Sequence, residues 1–109
     1  MPEESTEDLI SQFQSFQQQL QTIIIQKESL KLQNMEIERS VEELNKTEQK
    51  TAYKISGQIM INKPVEELKK ELEETKENIG LKIKSLEKIE ERINNKLKEL
   101  QSKLKERIK

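Results

Sequence analysis

The sequence predicts a mainly α-helical protein, an antiparallel two-helix coiled coil with one short β-hairpin between the helices. Apolar residues recur at alternating steps of three and four residues in both arms of the chain, and in its middle the period changes to two. The first spacing is typical of a coiled-coil seam and the second of a β-strand. With 38% charged and 31% hydrophobic residues among 109, the chain holds too little apolar material for a compact globular core. We therefore expect a single domain over residues 1–109 that is stabilised along a seam.

The first helix is predicted over residues 6–49. Its start follows Ser5 in a Ser-Thr-Glu-Asp run, where a hydroxyl caps free amides and acidic residues meet the positive end of the helix dipole. Lys27 and Asn34 interrupt the apolar row, and polar residues at seam positions lower stability but fix the register. The predicted seam positions are Leu9, Phe13, Phe16, Leu20, Ile23, Lys27, Leu30, Asn34, Ile37, Val41 and Leu44.

The second helix is predicted over residues 64–108. Pro64 suits the first helical position, and the two glutamates that follow Val65 complement the helix dipole. Two consecutive four-residue steps that begin at Thr75 predict local unwinding of the supercoil beside Gly80. The predicted seam positions are Val65, Leu68, Leu72, Thr75, Ile79, Ile83, Leu86, Glu90, Ile93, Leu97, Leu100 and Leu104. The arms match in length and carry opposite net charge, −5 over residues 1–50 and +4 over residues 51–109, so we expect them to fold against each other.

A β-hairpin is predicted over residues 51–62. Apolar and polar residues alternate there around Gly57, which supplies the permissive backbone of a turn. A continuous helix through this segment is the alternative, and both Gly57 and the period of two oppose it. The face that each strand residue occupies depends on the turn register, which the sequence leaves open.

The hairpin is the predicted oligomerisation site. A lone two-stranded hairpin is marginal in water and has two unpaired edges, and both helices are already committed to each other. Its strands are therefore expected to pair with strands of other subunits; the alternative is that the apolar patch folds back on the helix ends. The residues assigned to this site are Tyr53, Ile55, Gly57, Ile59, Met60 and Ile61.

The composition excludes several classes of function. The chain has no His and no Cys, which removes disulfides, Cys/His zinc sites and imidazole or thiol catalysis. No catalytic constellation or phosphate-binding loop is present, so we expect a non-enzyme without cofactor or metal. No apolar run reaches the ~20 residues of a membrane span, and an acidic start through Glu3 and Glu4 argues against a targeting peptide, so a cytoplasmic location is expected. A net charge of −1 gives no support for a dedicated nucleic-acid binder.

The central residues resemble a known family. The segment Tyr53-Lys54-Ile55-Ser56-Gly57, the Ile59-Met60-Ile61 piece and the following Val65-Glu66-Glu67-Leu68 are similar to the beta-type subunit of prefoldin, a co-chaperone. The short centre, with room for one hairpin, matches the beta type rather than the alpha type. The resemblance implies a hexamer of two alpha and four beta subunits joined through their hairpins into a β-barrel platform. It also implies that the coiled-coil tips hold unfolded polypeptides without ATP and deliver them to a group II chaperonin.

The helix ends far from the hairpin are the candidate client-binding tip. Their apolar residues would contact an unfolded chain when the tip frays, and the alternative is that they are only the terminal heptads of the seam. The residues assigned to the tip are Leu9, Ile10, Phe13, Phe16, Leu97, Leu100, Leu104 and Ile108. A basic group offers either a docking patch for an acidic chaperonin surface or a solvated helix face, and we favour the solvated face. It comprises Lys96, Lys98, Lys103, Lys105, Arg107 and Lys109.

Two classes of function therefore remain on the sequence alone. The first is a chaperone subunit that binds unfolded polypeptide within a hetero-oligomer. The second is a structural scaffold or tether that uses the hairpin only to assemble. An interrupted rod favours the first, since a simple scaffold has little use for a strand pair. A nucleic-acid contact through the basic helix end is a weaker third option, which salt-dependent binding would test.

Overall fold

The computed structural model describes residues 5–108, and it confirms the predicted fold class of two long helices with an antiparallel β-hairpin between them. The elements in chain order are the helix α1 (Thr6–Lys46), the strands β1 (Thr51–Ser56) and β2 (Ile59–Pro64), and the helix α2 (Val65–Ile108). The two strands form a two-stranded antiparallel sheet. Within the described residues, neither helix contains an apolar stretch long enough to cross a membrane.

The chain forms two compact units. The terminal unit consists of the chain up to Ser29 together with the chain from Lys84 onwards, and the hairpin unit is Leu30–Ile83. Each unit therefore takes one portion of α1 and one of α2, and the hairpin unit also contains both strands. The core of each unit is the seam between its two helical portions.

The ends of α1 are set by hydroxyl groups. The Ser5 Oγ accepts a hydrogen bond from the Asp8 backbone N–H at 3.1 Å, which confirms the predicted N-terminal cap. At the other end α1 stops at Lys46, three residues before the predicted end. There the Thr47 Oγ1 accepts the Gln49 N–H at 3.3 Å, and such a local bond competes with a further helical turn.

The seam of α1 follows the predicted spacing without exception. Within Thr6–Lys46 the side chains that are buried or half-buried are the eleven predicted positions, and every other residue is exposed. Leu9 is the most deeply buried, at 1% exposure. The polar seam residues Lys27 and Asn34 are both half-buried, as the predicted row requires.

One predicted seam position of α2 is wrong, and Lys69, Glu71 and Gly80 are half-buried outside the predicted row. Thr75 is exposed, and Lys76 takes its place among the half-buried residues. The Thr75 Oγ1 donates a hydrogen bond to the Glu71 carbonyl oxygen at 2.9 Å, while the Lys76 Nζ lies 3.2 Å from the Glu38 carboxylate of α1. The consecutive four-residue steps of the burial pattern therefore run from Leu68 to Lys76, before the predicted place beside Gly80. A long lysine stem covers apolar surface while its charge stays at the edge, which the sequence period did not reveal.

The strand pair closes on a two-residue loop. Ser56 pairs with Ile59, so Gly57 and Gln58 form the loop, and Gly57 has a positive φ of 61°. A positive φ at the first loop residue alone is typical of the type II′ turn, whose twist matches that of the flanking strands. β2 extends to Pro64, two residues beyond the predicted hairpin, and α2 begins at Val65. Pro64 is thus the last strand residue and not the first helical one.

Substitution by alanine should change the free energy of unfolding in opposite directions at the two glycines of the chain. Gly80 lies inside α2, and a Cβ added there meets no atom within 4 Å, so Gly80→Ala should raise the free energy of unfolding by about 1 kcal/mol. Gly57→Ala should lower it by about 1 kcal/mol, because its φ of 61° is unfavourable for an L side chain. Urea unfolding followed by circular dichroism measures both. A destabilised Gly80→Ala variant would contradict the open surroundings seen here.

Candidate functional site

The hairpin presents two chemically different faces. Because successive strand side chains alternate between faces, the observed register assigns every strand residue to one of them. The Tyr53 face carries Thr51, Tyr53, Ile55, Met60, Asn62 and Pro64. The Lys54 face carries Ala52, Lys54, Ser56, Ile59, Ile61 and Lys63.

Large apolar side chains of the hairpin are open to solvent. On the Tyr53 face, Tyr53, Ile55 and Met60 are 67%, 73% and 63% exposed. On the Lys54 face, Ile59 and Ile61 are 64% and 40% exposed. The structure thus brings all five predicted apolar residues of the oligomerisation site into one exposed strand pair, with Gly57 at its loop. Exposed apolar clusters of this kind mark interaction surfaces.

The edges of the hairpin offer unpaired backbone groups at alternate residues. The Val65 N–H donates to the Lys50 carbonyl oxygen at 2.9 Å, so the pair formed by these two residues belongs to the hydrogen-bonded set. Hydrogen-bonded and non-bonded pairs alternate along an antiparallel ladder. The residues of the Tyr53 face therefore direct their backbone N–H and C=O groups outward, where a further strand can bind them. Pro64 occupies such an outward position, where its missing N–H costs the ladder nothing.

A three-residue ion cluster fastens the Lys54 face to α2. The Lys54 Nζ lies 3.3 Å from Glu71 Oε2, and the Lys63 Nζ lies 2.5 Å from Glu71 Oε1. One glutamate of α2 thus binds one lysine from each strand. We call Glu71, Lys54 and Lys63 the lysine clamp. Glu67 is a more distant acidic neighbour, with its carboxylate 4.0 Å from the Lys63 Nζ.

The hydrogen bonds of the clamp shift the pKa values of Glu71 and Lys63. The hydrogen bond from Lys63, with a smaller effect from the hydrogen bond of Lys54, lowers the pKa of the Glu71 carboxyl below its ordinary 4.5. The hydrogen bond to Glu71 raises the pKa of Lys63 above its ordinary 10.5, against the opposing effect of desolvation. Glu71 and Lys63 are therefore both charged over the whole neutral range, and their bond persists there.

A groove within the hairpin unit is lined in part by the clamp itself. It has a volume of about 290 Å³, and both polar and apolar side chains line it: Ser40, Leu44, Tyr53, Lys54, Leu68, Glu71, Leu72 and Thr75. Tyr53 stands at the margin of this groove and remains largely exposed. The groove is therefore open space that the hairpin does not fill.

The predicted tip residues all belong to the terminal unit, with unequal exposure. Leu9 and Leu100 are buried, at 1% and 4% exposure, while Ile10 is 43% exposed. Phe13, Phe16, Leu97 and Leu104 are half-buried. Ile108 ends α2, but its side chain lies outside the described residues, as do residues 1–4 and Lys109. The other five residues of the basic group are exposed, and Lys96 pairs with Glu99 at 3.6 Å.

A charged pair within the seam of the terminal unit joins its two helical portions. The Lys27 Nζ donates to Glu90 Oε2 at 2.6 Å, and both residues are half-buried. The hydrogen bond to Glu90 raises the pKa of Lys27, against the opposing effect of desolvation. The two charged residues that interrupt the predicted seams therefore neutralise each other, which fixes the register of this unit. In residues 5–108 no group of three or more acidic side chains is placed to hold a metal ion.

A strand hairpin with exposed apolar side chains between two seam-packed helices defines a coiled-coil protein with an open strand pair. Comparisons with known proteins agree. The family described as "Prefoldin subunit" matches residues 7–109. The prefoldin subunit beta of Archaeoglobus fulgidus is 36% identical over 99 residues, which cover 90% of this chain and 85% of that protein. The prefoldin subunit beta of Thermococcus onnurineus is 34% identical over 97 residues, which cover 88% and 84%.

A solved structure has the same fold. The crystal structure of the prefoldin beta subunit from Thermococcus strain KS-1 superposes with a TM-score of 0.84 at 27% identity, covering 93% of this chain and 90% of that one. The chain belongs to the prefoldin family, in its beta type of subunit. Prefoldin subunits are chaperones rather than enzymes, and beta subunits form hetero-oligomers with other prefoldin subunits.

Sequence reasoning missed the lysine clamp. The missing step was the turn register: once Gly57 and Gln58 are known to form the loop, Lys54 and Lys63 must share a face. Glu71 carries no signal of its own among the many glutamates of α2. Its role appears only when the hairpin is placed against the helix.

The pKa shifts predict how the clamp responds to pH. Because the pKa of Glu71 is lower in the folded than in the unfolded chain, its stabilisation is complete above the ordinary value of 4.5 and is lost as the pH falls through the folded value. The Lys63 contribution is present below 10.5 and is lost as the pH rises through its raised folded value. Carbon-13 NMR of the Glu71 carboxyl should show a midpoint below 4.5, and Lys63→Met should raise it. A midpoint at or above 4.5 in the unchanged chain would mean that the clamp does not form in solution.

Proposed function

We propose that this chain is one subunit of an ATP-independent holding chaperone, whose hairpin makes the assembly and whose terminal unit holds unfolded polypeptide. The observation that supports it most is the hairpin, in which Tyr53, Ile55 and Met60 expose apolar side chains on a strand pair with unpaired edges. Membership of the prefoldin family supplies the context in which such a hairpin has partners. The relatives at 34% and 36% identity are themselves beta subunits.

The proposed assembly is a hexamer of two alpha-type and four beta-type subunits. Strands of neighbouring subunits would bind the outward backbone groups of β1 and β2, and the apolar side chains of the Tyr53 face would pack in the interior of a closed β-barrel platform. Closure of the barrel removes every free strand edge, and with it the tendency of an exposed edge to pair with other chains and aggregate. An isolated hairpin is only marginally stable, but in the oligomer the strands of neighbouring subunits would complete its sheet and stabilise it.

The proposed client site is the apolar part of the terminal unit. Ile10 is exposed beside Phe13 and Phe16, which are the only phenylalanines of the chain and are half-buried. Opening of the helix ends would add these rings to the apolar surface, where a client gains ~25 cal/mol per Å² buried. Contacts of this kind are weak singly, but several tips around one client gain by multivalency. We propose that the assembly acts in the cytoplasm and transfers clients to a group II chaperonin.

The central experiment is aggregation of a denatured client in the absence of ATP. A chemically denatured protein is diluted into buffer that contains this chain assembled with its organism's alpha-type subunit, and light scattering is followed. Suppressed scattering at a near-stoichiometric ratio is the expected result for a holding chaperone. Unchanged scattering from a confirmed oligomer would leave a structural scaffold as the function.

The hairpin predicts a change that abolishes assembly and spares the helices. Ile55→Lys places a charge in the proposed strand interface, and the association constant with the alpha-type subunit should fall at least tenfold, since interface residues of this kind contribute more than about 1.4 kcal/mol. Ile25→Lys is the matched control, because Ile25 is 63% exposed on α1 and lies outside the hairpin. Light scattering coupled to gel filtration measures assembly, and circular dichroism checks helix content. Assembly retained by Ile55→Lys would exclude the hairpin as the interface.

The terminal unit predicts a change that impairs holding and spares assembly. Replacing Phe13 and Phe16 with serine removes the aromatic surface of the proposed client site, so client aggregation should no longer be suppressed at the ratio that suffices for the unchanged chain. Ile24→Ser with Ile25→Ser removes two exposed apolar side chains of the same helix and should hold clients normally. Loss of holding and assembly together in the phenylalanine variant would show that these rings are structural. Equal loss of holding in the control would place the client along the helix.

A further inference from the structure

We propose that Glu71 is a positioning residue for subunit assembly, because its bonds to Lys54 and Lys63 hold the hairpin in the orientation that leaves its apolar side chains exposed. The inference rests on the proposed assembly through the hairpin and adds to it a residue outside the strands. Glu71 contacts no partner strand in this role. It determines which face of the hairpin is available to one.

Few other contacts fix the orientation of the hairpin. β2 passes into α2 without a connecting residue, and the Val65 to Lys50 hydrogen bond closes only the base of the ladder. Among the strand residues only Ala52 and Lys63 are half-buried, and the rest are exposed. Apolar burial therefore holds the hairpin weakly against the helices. In the described part of the chain, the side-chain bonds between the strands and α2 are those of the lysine clamp and the longer Lys63 to Glu67 contact.

Charge explains why Glu71 is the centre of the clamp. Lys54 is opposite Ile61 and Lys63 is opposite Ala52, so the two lysines are diagonal neighbours on one face of the sheet. Like charges at that spacing repel, and they occur together only beside a compensating group. Glu71 compensates both at once, one lysine to each carboxylate oxygen. The lowered pKa of Glu71 agrees with two cations at hydrogen-bond distance.

The groove beside Tyr53 shows what the clamp prevents. Tyr53 lines this groove together with Lys54 and Glu71, yet it remains 67% exposed. With Glu71 neutral or absent, the hairpin is free to move closer and bury more of its Tyr53 face against Leu44, Leu68 and Leu72. Burial of apolar side chains in that groove is favourable, and it competes directly with assembly, because the same side chains form the interface. A subunit that folds back in this way binds partners with an apparent affinity reduced by the fraction that is open. The clamp keeps this fraction high.

The test is substitution of two glutamates of α2 that differ in place but not in charge. Glu71→Gln removes the acceptor of both lysines, whereas Glu74→Gln removes an exposed carboxylate one turn away. The dissociation constant for the alpha-type subunit should rise about three- to tenfold in Glu71→Gln, as two part-exposed ion pairs allow, and less than twofold in Glu74→Gln. Sedimentation equilibrium measures both at low salt. Circular dichroism and amide hydrogen exchange of residues 51–64 in the free subunit accompany the measurement.

The salt dependence of the affinity distinguishes a positioning role of Glu71 from a merely structural one. The clamp is screened as ionic strength rises, so the difference between Glu71→Gln and the unchanged chain should shrink in 1 M salt, while helix content stays the same throughout. Equal affinities of the two glutamate variants and the unchanged chain at low salt would overturn the inference. A loss of helix in Glu71→Gln alone, or a difference that persists at high salt, would also overturn it. Failure of the unchanged chain to assemble would instead count against the proposed function itself.

Discussion

The seam between the two helices is the constraint on which the rest of the molecule depends. Every buried or half-buried residue of α1 lies at a seam position, while apolar residues outside the seam, such as Ile25 and Leu32, stay exposed. α2 is similarly committed, with Leu68, Ile79, Ile93 and Leu100 buried. The apolar residues of the hairpin are consequently left without partners inside the chain. The exposed hairpin therefore follows from a seam that takes up the buried face of each helix.

Polar residues within the seam give it a unique register. A repeat of three and four residues is nearly self-similar, so a helix displaced by one heptad would bury almost as much apolar surface. The Lys27 to Glu90 bond opposes such a displacement in the terminal unit, since either residue alone would leave a half-buried charge without its partner. In the hairpin unit the Glu38 to Lys76 pair has the same role at the edge of the seam. Asn34 adds a cost there, because its Oδ1 is buried and accepts no hydrogen bond from the described residues.

The sequence predicted the periodic parts of the fold and missed those that depend on tertiary placement. The seam of α1 is predicted correctly at every position, because the residues that recur with the coiled-coil period are the ones that the helix turns toward its partner. Thr75 was assigned to the α2 seam in error, since a lysine stem can replace an apolar side chain when its charge finds a partner such as Glu38. The composition of the exposed hairpin was predicted, but its faces were not, because a shift of one residue in the turn exchanges them. The lysine clamp could not be predicted before that register was known.

The direct passage from β2 into α2 makes the two ends of the hairpin unequal. On the α1 side four residues, 47–50, separate helix from strand, so length and direction there can adjust. On the α2 side Pro64 is followed at once by helical Val65. One residue inserted at that junction would turn the helix start by about 100° relative to the strand and reverse the alternation of its side chains. Insertions during the divergence of such subunits are therefore expected to accumulate before β1, while the spacing between the hairpin loop and α2 stays fixed.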